Sequence, residues 1–490
     1  MMPRCWRNLL GCLALVFGLA AAGPAAAHGF GQRYDLPLPL SFYIWGAGAT
    51  VALSFVGFAL FLRAEHGLLT WHIDWRAKGR PAAALAAVAR ALASGMLLVV
   101  IVAGLFGNQD PIRNIAPVMV WIIGWVGLAF LSVLLGDVWR LVNPWNAIFA
   151  FAELCCRRVC ADAVFGFARR YPQWLAAWPA FLLLMAFAWM ELVWSGRNDP
   201  AALAVALAAY SALTFCGMGL FGRQTWLAQG EMFTLVFGTF ARFGPLAAIP
   251  QGIRLRMPAA GLLTDQPATF SMVALVVALL ATVTFDGLLE TPLWARIDLA
   301  VLDWASEPSF GTVPILREDQ MVRLVRSVAL VAFILLFLAA YAVVCRLTSA
   351  AVGKHAAPTG GVLRSFVLTL VPIAIAYHVA HYLSLFFLGG QYVIPLISDP
   401  LGRGWDLFGT AHYQVDIGLV TPRLQWSVAV VAVVLGHVCA IYLSHVTALR
   451  LFADRRAALL SQIPMVALMV IYTMLSLWIL SQPIVETGVR

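Results

Sequence analysis

Charge is what this sequence has least of. Only 11% of its 490 residues are Asp, Glu, Lys or Arg, against the quarter expected of a soluble chain. Hydrophobic residues make up 62% and mean hydropathy is +0.87, which excludes an ordinary water-soluble globule. Several chemical signatures are also missing. There is no phosphate-cradling glycine loop, no helical HExxH and no GxSxG elbow. No internal repeat stands out, which argues against an inverted-repeat transporter. None of the eight cysteines falls in an expected outer loop, so no structural disulfide is expected. The cluster "CCRRVC" has no second cluster to complete a soft-metal site, and its thiols read as small packing side chains.

What is present is a set of long apolar runs. Ten spans are expected, at 40–62, 88–107, 116–136, 174–194, 200–221, 267–286, 325–346, 362–388, 426–448 and 464–482. The expected fold is an all-α, polytopic transmembrane helix bundle forming a single domain over 28–490. Residues 1–27 read as a signal peptide: Arg4 and Arg7, then an apolar core, then small residues ahead of His28. Segments 143–156 and 225–250 are too short or too broken to span, and read as interfacial or re-entrant helices.

Charge placement orients this map. With a periplasmic mature N-terminus, loops 63–90, 137–173, 222–266, 346–364 and 449–463 fall inside and carry about a twofold excess of Lys and Arg. This bias agrees with the positive-inside rule, and the signal peptide makes a bacterial inner membrane the expected location. The net charge of +9 reflects these inner loops, so no nucleic-acid partner is expected; the bilayer is the expected partner, and no protein partner is indicated. The longest outer loops, 287–324 and 389–425, are rich in Gly, Pro and acidic residues and could cap an outward-facing cavity.

The most informative residues are three histidines within apolar runs. His378 and His381, in "PIAIAYHVAHYLSL", are three apart and so share a helix face. His437 lies at a similar expected depth in the next span. Ionisable groups in a bilayer are costly and usually functional. Three converging imidazoles would suit a divalent metal ion, zinc or copper, with an open position for water or substrate. Asp406 and Asp416 in the loop between the two spans are candidates to orient that water. Were cleavage to leave His28 as the new N-terminus, its amine and ring could together chelate copper, making it a further ligand. Asp286, Glu290, Tyr377 and Tyr382 are additional polar candidates, and His445 reads as interfacial. Each histidine also has a plainer reading as a hydrogen-bonded packing residue.

The segments "AHGFGQRYDLPLPLSFYIWGAGA", "LLGDVWRLVNPWNAI", "PIAIAYHVAHYLSL", "SDPLGRGWDLFGTA" and "GHVCAIYLSHVTALR" resemble a family of polytopic bacterial membrane proteins, some of whose members are named fenitrothion hydrolase. The resemblance implies cleavage of a lipophilic organophosphate triester to a diester and a nitrophenol. A metal ion held by His378, His381 and His437 would polarise the phosphoryl group and activate water. Other readings are a transporter or metal-handling permease, a b-type haem electron carrier using His378 and His437, and a scaffold subunit without chemistry.

Overall fold

The apolar runs fold into helices that pack side by side, as a chain in lipid must do to satisfy its backbone polar groups. The computed structural model describes residues 36–62, 68–75, 80–159, 165–167, 169–249, 252–264, 266–306, 317–353 and 357–484. The expected signal peptide and His28 lie outside them. Among the described residues, nine helices are long and apolar enough to cross a membrane. The principal helices are α1 (Leu40–Phe61), α2 (Arg80–Phe106), α3 (Ile115–Leu134), α4 (Pro144–Val159), α5 (Trp178–Leu192), α6 (Pro200–Phe221), α7 (Arg223–Gln229) and α8 (Met232–Ala241). They are followed by α9 (Phe270–Leu289), α10 (Pro292–Ser306), α11 (Glu318–Ala351), α12 (Thr359–Ser398), α13 (Pro422–Leu451) and α14 (Arg455–Ile484). The integral-membrane, all-α architecture expected from composition is the one observed.

Burial divides the spans. The most apolar window of α9 and that of α12 are each 78% buried inside the protein, whereas that of α2 is only 6% buried and faces outward. A helix apolar on every side and enclosed by neighbours is a core helix. Helix α9 carries small and β-branched residues along "SMVALVVALLATVTF", which let α5, α11 and α12 pack close around it. Helix α12 is not uniform: a 3₁₀ turn at Val367–Leu370 precedes Pro372, and a wider π-type turn spans Leu385–Gly389. Its contact with α13 is set by Gly436, where an added Cβ would lie 2.4 Å from Ala376 Cβ and 2.7 Å from the Pro372 carbonyl oxygen.

The loops meet in two groups, and this fixes which helix ends lie together. At one end, β1 (His72–Trp75), β2 (Leu246–Ile249) and β3 (Gly252–Arg256) form a small antiparallel sheet in the order β1-β3-β2. Composition gave no hint of it, because its strands are only four or five residues long and β1 comes from a loop far from the β2–β3 pair. Asp74 and Arg254 pair across it through two hydrogen bonds of 2.7 and 2.8 Å. The chain leaving α3 joins this end, with Gly136 at φ +130° and an added Cβ only 2.0 Å from the Leu246 carbonyl oxygen. Phe167 and Arg169 join it as well, through Phe167 N–H to Gly219 O and Arg169 N–H to Leu220 O at the end of α6.

At the opposite end, Asn108 N–H donates to Leu401 O, Trp121 Nε1–H to Arg197 O, and Arg323 reaches Ser195. The Asp298–Arg326 ion pair, at 2.5 Å, ties α10 to α11. Helix α5 therefore runs from the sheet end to the opposite end, although its 15 residues span only ~22 Å at the α-helical rise. Among the described residues, nine of the ten expected spans correspond to helices long and apolar enough to cross, and the tenth, 174–194, to the shorter α5. Helices α7 and α8 enter from the sheet end and return to it at β2, the arrangement expected of a re-entrant pair.

Candidate functional site

Asp286 sits one turn from the end of α9, His381 and Tyr382 occupy adjacent positions on α12, and Glu191 is the penultimate residue of α5. All three helices bring these residues to the end opposite the sheet. His381 Nε2 lies 2.9 Å from Asp286 Oδ2, and Tyr382 donates its hydroxyl proton to the same oxygen at 2.7 Å. The Tyr382 hydroxyl is also 3.3 Å from Glu191 Oε1. The site is shielded without being sealed: the His381 side chain is 8% exposed and Asp286 18%.

Counting protons shows what this arrangement can do. A phenol has one proton to give. Tyr382 gives its own to Asp286, so the contact with Glu191 becomes a hydrogen bond when Glu191 carries a proton, or when Tyr382 turns to it. Four titratable side chains thus share fewer protons than positions, in a setting where charges are weakly screened. Arg197 lies at the rim, its Nη1 donating to the Glu191 backbone carbonyl at 2.9 Å. Glu290 follows at the end of α9.

The two other histidines have different surroundings. His378 is buried in a box of rings: Trp125, Phe130, Phe240 and Tyr382 lie 5.6, 6.0, 5.8 and 4.6 Å from it between centroids. Three of these rings stand steeply to the imidazole, the favourable edge-to-face geometry. His437 is buried on α13, with Nδ1 2.8 Å from the Val433 carbonyl oxygen and its ring 5.8 Å from Tyr472 of α14. The ring neighbours of His378 and His437 do not overlap. Nε2 of each is buried without a hydrogen-bond partner.

The remaining sequence candidates are spread out. Asp406 and Asp416 are exposed and cap turns of the 389–425 loop, accepting from Ala411 N–H and Gly418 N–H. His412 is exposed in the same loop. His445, expected at the interface, is buried: Nδ1 meets Gln462 Oε1 at 3.0 Å and Nε2 lies 3.3 Å from Leu62 O. Spacing along one helix could not reveal this, because both partners come from other elements. Among the described residues, no group of three or more His, Cys, Asp or Glu side chains is arranged to hold a metal ion. Of the expected metal set, His381 is engaged by Asp286, His378 shares the Tyr382 ring with His381, and His437 packs against Tyr472.

Sequence reading passed over one buried acid. Glu231 has no exposed surface and caps α8, accepting from Phe233 N–H at 3.0 Å and Thr234 N–H at 2.8 Å, and from the hydroxyls of Thr234 and Tyr210. Its clue is a lone acid directly before an apolar run, where an acceptor meets the unpaired N–H groups of a helix start. No protein-family model matches this chain, and no curated protein or solved structure matches it.

Proposed function

We propose that this integral membrane protein is a proton-linked permease of the bacterial inner membrane, with His381, Asp286, Tyr382 and Glu191 as the proton-loading site. The observation that carries this reading is the sharing of one carboxylate by an imidazole and a phenol, with a second carboxylate on that phenol, across three helices. Carboxylate and imidazole groups clustered inside a bundle are the usual elements of proton relays. The arginine excess at the sheet end supports a cytoplasmic sheet and a periplasmic site. Partial exposure of Asp286 would let it exchange protons with the periplasm while α9 continues into the core.

Proteoliposomes loaded with a pH-sensitive dye test this. An imposed pH gradient should drive proton movement through the wild type, and Asp286→Asn should slow it on the order of 100-fold. Undiminished flux in Asp286→Asn and Glu191→Gln variants that remain monodisperse would sink the reading.

A second reading, metal-dependent hydrolysis of a lipophilic organophosphate triester, is favoured by a specific observation. Nε2 of His378 and Nε2 of His437 are both buried and unpartnered, so each is a free donor atom. Among the described residues, no group of three such side chains is arranged to hold a metal ion. Elemental analysis of detergent-purified protein, with triester turnover measured in His378→Ala and His437→Ala, separates the two readings. Stoichiometric zinc or copper that disappears in both variants would favour the hydrolase.

A further inference from the structure

Beside the proton-loading site, hydroxyl-bearing side chains of α9, α12 and α14 lie between Asp286 and His437. Tyr377 of α12 is buried, and its hydroxyl has no hydrogen-bond partner. That hydroxyl occupies space that only glycine leaves open: a Cβ on Gly287 would be 2.6 Å from it. Gly287 directly follows Asp286 on α9, and Tyr377 lies within electrostatic range of Asp286, Glu290 and Tyr472. Its ring is 6.3 Å from that of His381.

The next member is Tyr472 of α14, whose hydroxyl bonds to Thr284 Oγ1. With the Thr284 hydroxyl proton on the Leu280 carbonyl at 2.7 Å, Tyr472 donates to Thr284, and its oxygen can still accept. Thr284 and Gly287 are three apart on α9 and share the face that meets α14. The His437 ring lies at an angle against Tyr472. Because Nδ1 of His437 donates to Val433 O, Nε2 is the accepting nitrogen, and it too is buried and unpartnered.

An unpaired buried hydroxyl and an unpaired buried imidazole nitrogen each carry a desolvation cost, and ordered water is the usual remedy where several polar groups converge. We propose that Tyr377, Tyr472 and His437 form the inner arm of a proton relay, bridged by buried water, that connects the Asp286–His381 pair with the middle of the bundle. The proton passes by exchange along hydrogen bonds, each oxygen or nitrogen accepting one proton as it releases another, with no net change in the relay. The inference rests on the proton-loading role proposed for Asp286 and His381. Asp286 and Glu290 of α9 stand beside Tyr377, and His381 and Tyr382 of α12, Glu191 of α5 and Arg197 at the rim surround Asp286. Aspartate and histidine at the outer end supply the exchangeable proton, and His437 stands at the inner end.

Two measurements test it. Proton flux in dye-loaded vesicles should fall on the order of tenfold or more in Tyr377→Phe and Tyr472→Phe, which keep the rings and remove only the hydroxyls. In ¹⁵N-histidine-labelled protein, exchange of the His437 ring proton with D2O should slow by a similar factor in both variants. If Asp286→Asn stops flux while both Phe variants match the wild type in flux and exchange, the relay is overturned and the loading site stands. If Asp286→Asn leaves flux intact, the permease reading fails, and slowed His437 exchange in the Phe variants still upholds the relay. Unchanged exchange there removes it.

Discussion

Individual side chains decide how tightly the central helices meet. Gly436 is the clearest case, because the α12–α13 contact leaves no room for a methyl group. Gly436→Ala should destabilise the bundle by roughly 1–3 kcal/mol, the usual cost of overpacking, read as an earlier thermal-aggregation midpoint in detergent. Gly57→Ala on α1 is the control: nothing lies within 4 Å of its added Cβ, so its midpoint should stay or rise slightly. Glu231 makes the opposite kind of prediction. Glu231→Ala would orphan two backbone N–H groups and two hydroxyls at once, and should cost roughly 3 kcal/mol or more by the same assay. Asp286 differs from Glu231 in just this respect. Glu231 is saturated with donors and sealed, as a structural acid is, while Asp286 accepts from the titratable side chains His381 and Tyr382 and is partly exposed.

Elements were legible in the sequence to the extent that periodicity and length announce them. The spans 200–221 and 40–62 are observed almost to the residue, since both are uninterrupted apolar runs ending at Gly222 and Leu62. The three strands were not legible, because strands of four or five residues carry little periodicity, and β1 meets its partner β3 from far away in sequence. The candidate site was half legible. The His378–His381 pair drew attention to α12, but which helix face met which neighbour depended on packing that spacing alone does not encode. Asp286 became the partner of His381 because α9 is the buried central helix, and His437 turned to α14 because Gly436 seats α13 against Pro372 and Ala376.

The sheet carries its own prediction. The Arg254 guanidinium holds the Asp74 carboxyl below its ordinary range, chiefly through their hydrogen bonds. A lowered folded-state value means the pairing contributes above the ordinary carboxylate range, near pH ~4, and fades as acid protonates Asp74. Hydrogen exchange at β1 should therefore quicken as pH falls from about 5 to about 3, after correction for intrinsic rates. Asp74→Asn should show that quickened exchange at every pH. The effect is small, because both side chains are exposed.

At the scale of the whole molecule, the short helix α5 decides the topology. It bears Glu191, so its direction determines whether the two carboxylates of the site reach the same membrane face. Were α5 a surface helix, the 165–169 and 193–199 segments would lie on one side of the bilayer. The hydrogen bonds assign them to opposite ends: Phe167 to the sheet end through Gly219, and Arg197 to the far end through Trp121. A 15-residue helix is short for a ~30 Å hydrocarbon layer, and local thinning or flanking turns must make up the difference. Single cysteines placed at the exposed positions Phe167, Ala248, Asn198 and Leu407, in a background without native cysteines, give a direct test in sealed right-side-out vesicles. Asn198→Cys and Leu407→Cys should react with a membrane-impermeant maleimide from outside, while Phe167→Cys and Ala248→Cys should react only after permeabilisation. Joint labelling of Phe167→Cys and Asn198→Cys from the same side would mean that α5 does not cross. Glu191 would then have no path to Tyr382, and the four-residue proton site would lose its second carboxylate.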